Sequence, residues 1–121
     1  MRYLLLITDD ETQYATPDPD QVTTMNEGYM KFIHEMGERG VLQGGERLYP
    51  TTDATTVRVR ADEVLTTDGP FAETKEQMAG YFVVECADLD EAIEIAAKIP
   101  TARTGSVEVR PIWDMSAEMG G

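Results

Sequence analysis

The sequence predicts an α+β domain: one antiparallel sheet with two helices on a single face. Three observations predict it. The main elements follow the order strand, helix, strand, strand, helix, strand, which is the split βαβ pattern, with a hairpin inserted ahead of the third main strand. Residues 3–7 and 80–86 are apolar on both faces, as central strands are. Residues 106–113 alternate and carry charge, as an edge strand does. The first and third main strands therefore belong in the sheet centre, and the second and fourth at its edges.

Taken in order, the first strand is the run at residues 3–7. Residues 8–20 are polar, hold Pro17 and Pro19, and form a long connector. A helix follows over residues 20–39, where Val22, Met25, Tyr29, Phe32, Ile33 and Met36 share one broad stripe. Asp20 is its expected N-cap and Gly40 its stop. Gly28 inside this helix costs about 1 kcal/mol relative to Ala, which makes it a candidate for close packing. His34, the only histidine, falls opposite the stripe and reads as a solvated side chain.

Residues 41–48 form the second strand, where Gly44-Gly45 signals a bulge or a close backbone approach. Residues 55–60 alternate, and Ala61-Asp62 permits a tight turn into residues 63–67, giving the hairpin. Residues 80–86 are the third main strand. Asp88, with Glu91 three residues on, opens the second helix as a capping box. Leu89, Ala92, Ile93, Ala96 and Ile99 make its stripe, and Pro100 ends it. The last strand holds Pro111, which cannot donate to a ladder and so argues for an edge.

A chain of 121 residues is expected to form one domain, here residues 1–115 with a flexible tail at 116–121. At that length roughly two thirds of the unfolded surface is buried, enough for one core. The net charge of −13 repels phosphate backbones, so no nucleic-acid partner is expected. The single cysteine, Cys86, forms no intramolecular disulfide and reads as a small core residue. The N-terminal apolar run is too short for a signal peptide and is followed by Asp9-Asp10-Glu11. These features lead to the expectation of a cytoplasmic protein with no membrane contact.

The stretch Asp68-Gly69-Pro70-Phe71-Ala72-Glu73-Thr74-Lys75-Glu76 reads as a pinned loop. Gly69-Pro70 punctuates the chain, Asp68 can accept backbone hydrogen bonds across the turn, and Phe71 supplies an apolar anchor. This run closely resembles the signature of the DGPF branch of the YciI-related family, and the resemblance extends over about residues 2–113. It implies a ferredoxin-like α+β fold that dimerises into an α/β barrel, and it implies no defined activity. The wider family carries a histidine near the start of the equivalent helix. Here those positions read Asn26, Glu27 and Tyr29, which argues against histidine chemistry.

Two helices cover only one face of a sheet. The other face exposes alternate large residues of 3–7 and 80–86, at a cost on the order of 25 cal/mol per Å². A homodimer is the expected cover; a single-chain mass in light scattering at micromolar concentration would overturn it.

Asp68, Glu73 and Lys75 are the candidate catalytic groups, because acid–base work needs carboxylates and an amine with shifted pKa values. Phe71, Tyr81, Glu46 and Arg110 are the candidate ligand contacts, and plain structural ion pairs are the competing reading. No metal is expected, since one His and one Cys do not build a usual zinc site and no EF-hand spacing is present. No cofactor is expected either, as there is neither a P-loop nor a dinucleotide glycine fingerprint. The functional expectation is a cofactor-independent enzyme acting on a small organic molecule. The alternative is a non-catalytic ligand binder or regulator linked to transcription, because some relatives are fused to or encoded beside sigma factors.

Overall fold

The computed structural model describes residues 1–14, 18–70, 72 and 74–118. Its elements are β1 (Arg2–Asp9), α1 (Pro19–Glu38), β2 (Leu42–Arg47), β3 (Thr55–Arg60), β4 (Glu63–Asp68), β5 (Gln77–Glu85), α2 (Leu89–Ala97), β6 (Ser106–Pro111) and α3 (Met115–Glu118). Short 3-10 turns cover Glu11–Tyr14, Thr51–Asp53 and Pro100–Arg103.

Four strands form one antiparallel sheet in the order β2-β5-β1-β6. The two strands that are apolar on both faces occupy the centre, and Pro111 lies on the edge strand β6. This is the ferredoxin-like arrangement that the element order predicts. Strands β3 and β4 pair only with each other. Their turn residues, Ala61 at φ 50 and Asp62 at φ 64, both take positive φ. Two-residue hairpin turns need that geometry to match the strand twist.

Alternation along β1 sends Tyr3, Leu5, Ile7 and Asp9 to the helix-covered face, where all four are buried. Phe82 and Val84 of β5 join them, with Phe32 and Met36 of α1 and Ala92, Ile95 and Ala96 of α2. Leu5, Met36, Ile95, Ile99 and Val84 are the fully buried centre. The opposite face presents Leu4, Leu6, Tyr81 and Val83, half-buried and paired Leu4 with Val83 and Leu6 with Tyr81. Among the described residues no helix lies across it.

Three local expectations need correction. The N-cap of α1 is Asp18, whose carboxylate accepts from the Asp20 amide at 2.9 Å, so the helix starts earlier and uses Pro19 at its first position. Pro fits there because that amide has no intrahelical partner. In α2 the buried stripe is Ala92, Ile95 and Ala96, continued by Ile99 just past the helix end. Leu89 and Ile93 are 49% and 51% exposed, because the helix rolls its smaller alanines onto the sheet. The capping box holds, with the Glu91 amide donating to Asp88 at 2.9 Å, but the Glu91 carboxylate reaches the Ala87 amide instead of the cap's own. The glycine pair in β2 behaves as expected: the register shifts between Leu42 and Gly44.

Candidate functional site

Helix α1 does not lie evenly on the sheet. Its C-terminal half buries Phe32 and Met36, while its N-terminal half stands off β2 and leaves a cleft of about 630 Å³. Met25, Asn26, Tyr29 and Ile33 form the helix wall. The ends of β1, β2 and β5, with the segment Leu48–Pro50, form the rest. Gly45 keeps the floor open. A Cβ there would lie 2.4 Å from the Phe82 ring and 2.7 Å from the Tyr81 carbonyl, so that ring lies over bare backbone. Phe82 packs 5.0 Å from Phe32 and 6.3 Å, stacked, from Tyr29.

Polar groups gather at one end of this cleft. Asp9 closes β1 on the helix side and is 5% exposed. Its carboxylate accepts from the Asp10 amide at 2.9 Å and from the Thr104 hydroxyl at 3.4 Å. The Tyr29 and Thr101 hydroxyls share a 2.5 Å hydrogen bond. Burial pushes the Tyr29 phenol upward in pKa, against the opposing pull of the Thr101 bond, so it stays protonated at neutral pH. Arg47 sits at the end of β2, opposite Gly80 on the helix side, and its charge acts on the Tyr29 phenol. Glu11 accepts from both the amide and the hydroxyl of Thr51, at 2.8 and 2.7 Å. That pair fixes the Thr51–Asp53 turn against the exit of β1.

The sequence-derived candidates are distributed differently. Asp68 ends β4 opposite Thr55 and is exposed. Its turn is closed by Gly69 donating to the Ala54 carbonyl at 2.7 Å and by Thr56 donating to the Gly69 carbonyl at 2.8 Å. Phe71 and Glu73 lie outside the described residues. Lys75 is exposed and its charge helps to lower the Asp10 pKa, chiefly set by hydrogen bonds from Thr12. Glu76 accepts from Ser106 at 2.9 Å and Thr8 at 3.4 Å, and the Gln77 side chain accepts from the Glu11 amide at 2.9 Å. The loop is thus tied to the same sheet end as Asp9. A shallower hollow of about 400 Å³ lies between it and Thr51–Thr52, and shares Thr52 with the main cleft.

Glu46 and Tyr81 border the main cleft from neighbouring strands, but alternation directs their side chains to the open face, beside Leu6. Arg110 faces Leu4 on that same side, toward the opposite edge, and pairs with Glu108 at 2.5 Å. His34 is exposed on α1, as its wheel position indicates. Sequence reasoning missed Asp9, Tyr29, Thr101 and Arg47 as one constellation. The available signal was Asp9 itself, an acid that continues the buried positions Tyr3, Leu5 and Ile7. Among the described residues no group of three His, Cys, Asp or Glu is placed to hold a metal ion, and no helix is long and apolar enough to cross a membrane.

A split βαβ sheet with a ligand-sized cleft under its first helix defines a small α+β domain with a concave site. The chain belongs to the YCII-related domain family, whose model matches residues 1–116. It is 39% identical over 114 residues to an uncharacterized protein of Rhizobium meliloti (strain 1021), covering 93% of this chain and 92% of that one.

Proposed function

We propose that the chain is a cofactor-independent enzyme that moves a proton on a small organic molecule bound in the cleft under α1. The observation that carries this reading is the Asp9 carboxylate, 5% exposed yet bordering the cleft. A carboxylate held by hydrogen bonds beside apolar walls is well suited to take a proton from a bound substrate. The Tyr29–Thr101 pair supplies hydroxyls to stabilise negative charge that develops on a substrate oxygen. Asp68, Glu73 and Lys75, from the acidic stretch that the sequence singles out, are the competing catalytic set.

The test is a metabolite mixture incubated in heavy water and read by mass spectrometry for deuterium uptake or conversion. Asp9→Asn, checked for folding by circular dichroism, is expected to lower turnover by about 10²–10⁴-fold. Full activity in Asp9→Asn together with loss in Asp68→Asn would move the chemistry to the loop. Full activity in both would end the proposal.

A further inference from the structure

We infer that the substrate of this cleft is an uncharged ketone or lactone, whose carbonyl oxygen takes the Tyr29 hydroxyl hydrogen while a C–H beside the carbonyl faces Asp9. The inference deepens the proposed function and rests on Asp9 being its base.

The Pro100–Arg103 turn and its cap set these two groups side by side. The Thr104 amide donates to the Thr101 carbonyl at 3.2 Å, and side chains three residues apart on a 3-10 turn eclipse one another. Thr101 holds Tyr29, hydroxyl to hydroxyl at 2.5 Å, and the Thr104 hydroxyl donates to Asp9 at 3.4 Å. The Asp9 charge in turn acts on the Tyr29 phenol. Two side chains from β1 and α1 thus meet through neighbours on a third segment.

A count of hydrogens gives what the pair presents. The Tyr29 and Thr101 hydroxyls carry one hydrogen each, and their mutual bond uses one of them. Burial raises the phenol pKa most, and the Thr101 hydroxyl and backbone oppose it, as groups that donate to the phenol oxygen do. Thr101 is therefore the donor of the shared bond, and the Tyr29 hydrogen is left for the cleft. A carboxylate, by contrast, only accepts. A donor beside an acceptor fits a carbonyl group with an acidic C–H next to it. The proton passes from that carbon to the Asp9 carboxylate. The C–H electron pair becomes the C=C bond of an enolate, and the negative charge settles on the oxygen that Tyr29 holds. Return of a proton to the same carbon exchanges it with solvent; return to a farther carbon of an unsaturated substrate moves the double bond. The step needs no oxidant and no second substrate.

The surroundings exclude a charged substrate. Asp9, Glu11 and Glu46 border the cleft against Arg47, in a chain whose net charge is −13. An anion entering this field is repelled. An ammonium group is attracted, but it would pair with Asp9 and occupy the base. Ile7, Met25, Leu48 and Phe82 make the rest of the wall apolar, which suits a hydrocarbon body.

The test uses 2-tetralone, cyclohex-3-en-1-one and α-angelica lactone, each followed by proton NMR in heavy water for exchange beside the carbonyl or for double-bond migration. At least one is expected to react about tenfold or more faster than in buffer alone. Tyr29→Phe, checked for folding by circular dichroism, should lower that rate by about 10²–10³-fold. The wild type gives a second reading that needs no variant. By ligand-observed NMR it should bind 2-naphthol, which has the shape of the 2-tetralone enol, more tightly than naphthalene-2-sulfonate, an anion of similar size. Reaction of none of the three compounds, a rate unchanged in Tyr29→Phe, or tighter binding of the sulfonate overturns the inference. Asp9→Asn separates it from the proposed function. Metabolite turnover that is lost in Asp9→Asn, with none of the three carbonyl compounds reacting, sinks the substrate class alone. Reaction of an uncharged carbonyl compound that needs Tyr29 yet survives in Asp9→Asn removes Asp9 as the base and leaves the substrate class standing.

Discussion

Along α1, residues 25–29 and residues 32–36 face the same sheet under the same amphipathic pattern, and they end in different states. Phe32 and Met36 are 2% and 0% exposed and join the central cluster with Leu5, Val84 and Ile95. Met25, Asn26 and Tyr29 line open space. The cause lies across the gap. Opposite the C-terminal half the sheet offers only aliphatic and aromatic side chains. Opposite the N-terminal half the strand ends supply Asp9 and Arg47, and the Pro100–Arg103 turn supplies Thr101. Asp9 and Thr101 are already buried, but Arg47 is exposed, and closing the helix onto it would strip its water without supplying a partner, a cost that apolar contact does not offset. A periodic stripe thus decides which way a helix faces; the partner surface decides whether it closes.

The largest effect belongs to the closed side. Ile95 is fully buried in the cluster that holds both helices to the sheet. Ile95→Ala removes its outer methyl groups and leaves a cavity, an expected loss of about 2–5 kcal/mol in a urea titration. Below its unfolding transition the variant should retain the turnover assigned to Asp9, since no cleft group has changed. A loss under about 1 kcal/mol would mean that this region collapses around the gap, and that the closed half of the molecule is softer than its burial implies.

The closed half was legible in the sequence and the open half was not, for the same reason. Leu5, Val84 and Ile99 announce themselves through type and spacing, because burial of apolar area is non-directional and periodic. Pro111, Gly44-Gly45 and Asp88 announced an edge, a bulge and a cap through backbone chemistry alone. The cleft depends on separations that no spacing encodes: Asp9, Arg47 and Tyr29 come from three elements, and Thr101 lies 72 positions from the tyrosine it bonds. The acidic loop drew attention because its charges are contiguous in sequence. In the fold those that can be followed serve several neighbours, Glu76 at Thr8 and Ser106 and Lys75 near Asp10.

A middle-sized effect belongs to the boundary between the halves, at Tyr29. Tyr29→Phe keeps the ring against Phe82 but leaves the buried Thr101 hydroxyl without its partner, at an expected cost of about 1–2 kcal/mol. The variant also carries a pH signature. The folded phenol has its pKa raised above the ordinary 10.0, first by burial. A raised folded pKa means that the contribution is complete below pH 10.0 and is lost as the pH rises through the folded value. The wild type should therefore lose stability above pH 10, and the gap between it and Tyr29→Phe should narrow over that window. A gap of constant size from pH 8 to pH 11 would show that this phenol is as solvated as any on the surface.

The smallest effect tests what holds the halves apart. Gly28 lies in the open half, one residue before Tyr29. A Cβ built there stands 3.0 Å from Cγ of Pro100 and 3.6 Å from its Cβ, so the helix passes the start of the Pro100–Arg103 turn with almost no clearance. Gly28→Ala brings two opposing terms. Helix propensity favours alanine by about 1 kcal/mol, and the methyl group presses on a proline ring that has few ways to yield. The turn it presses on carries Thr101, so relief by separation lengthens the bond to Tyr29. The expected sum is within about 1 kcal/mol of zero in thermal unfolding, set against the full propensity gain that an uncrowded helix site would show. The more telling readout is turnover, which should fall by several fold as the Tyr29 wall shifts. A clear stabilisation with unchanged turnover would mean that the helix moves freely past the turn, and the standoff would then owe everything to the charged strand ends and nothing to this contact.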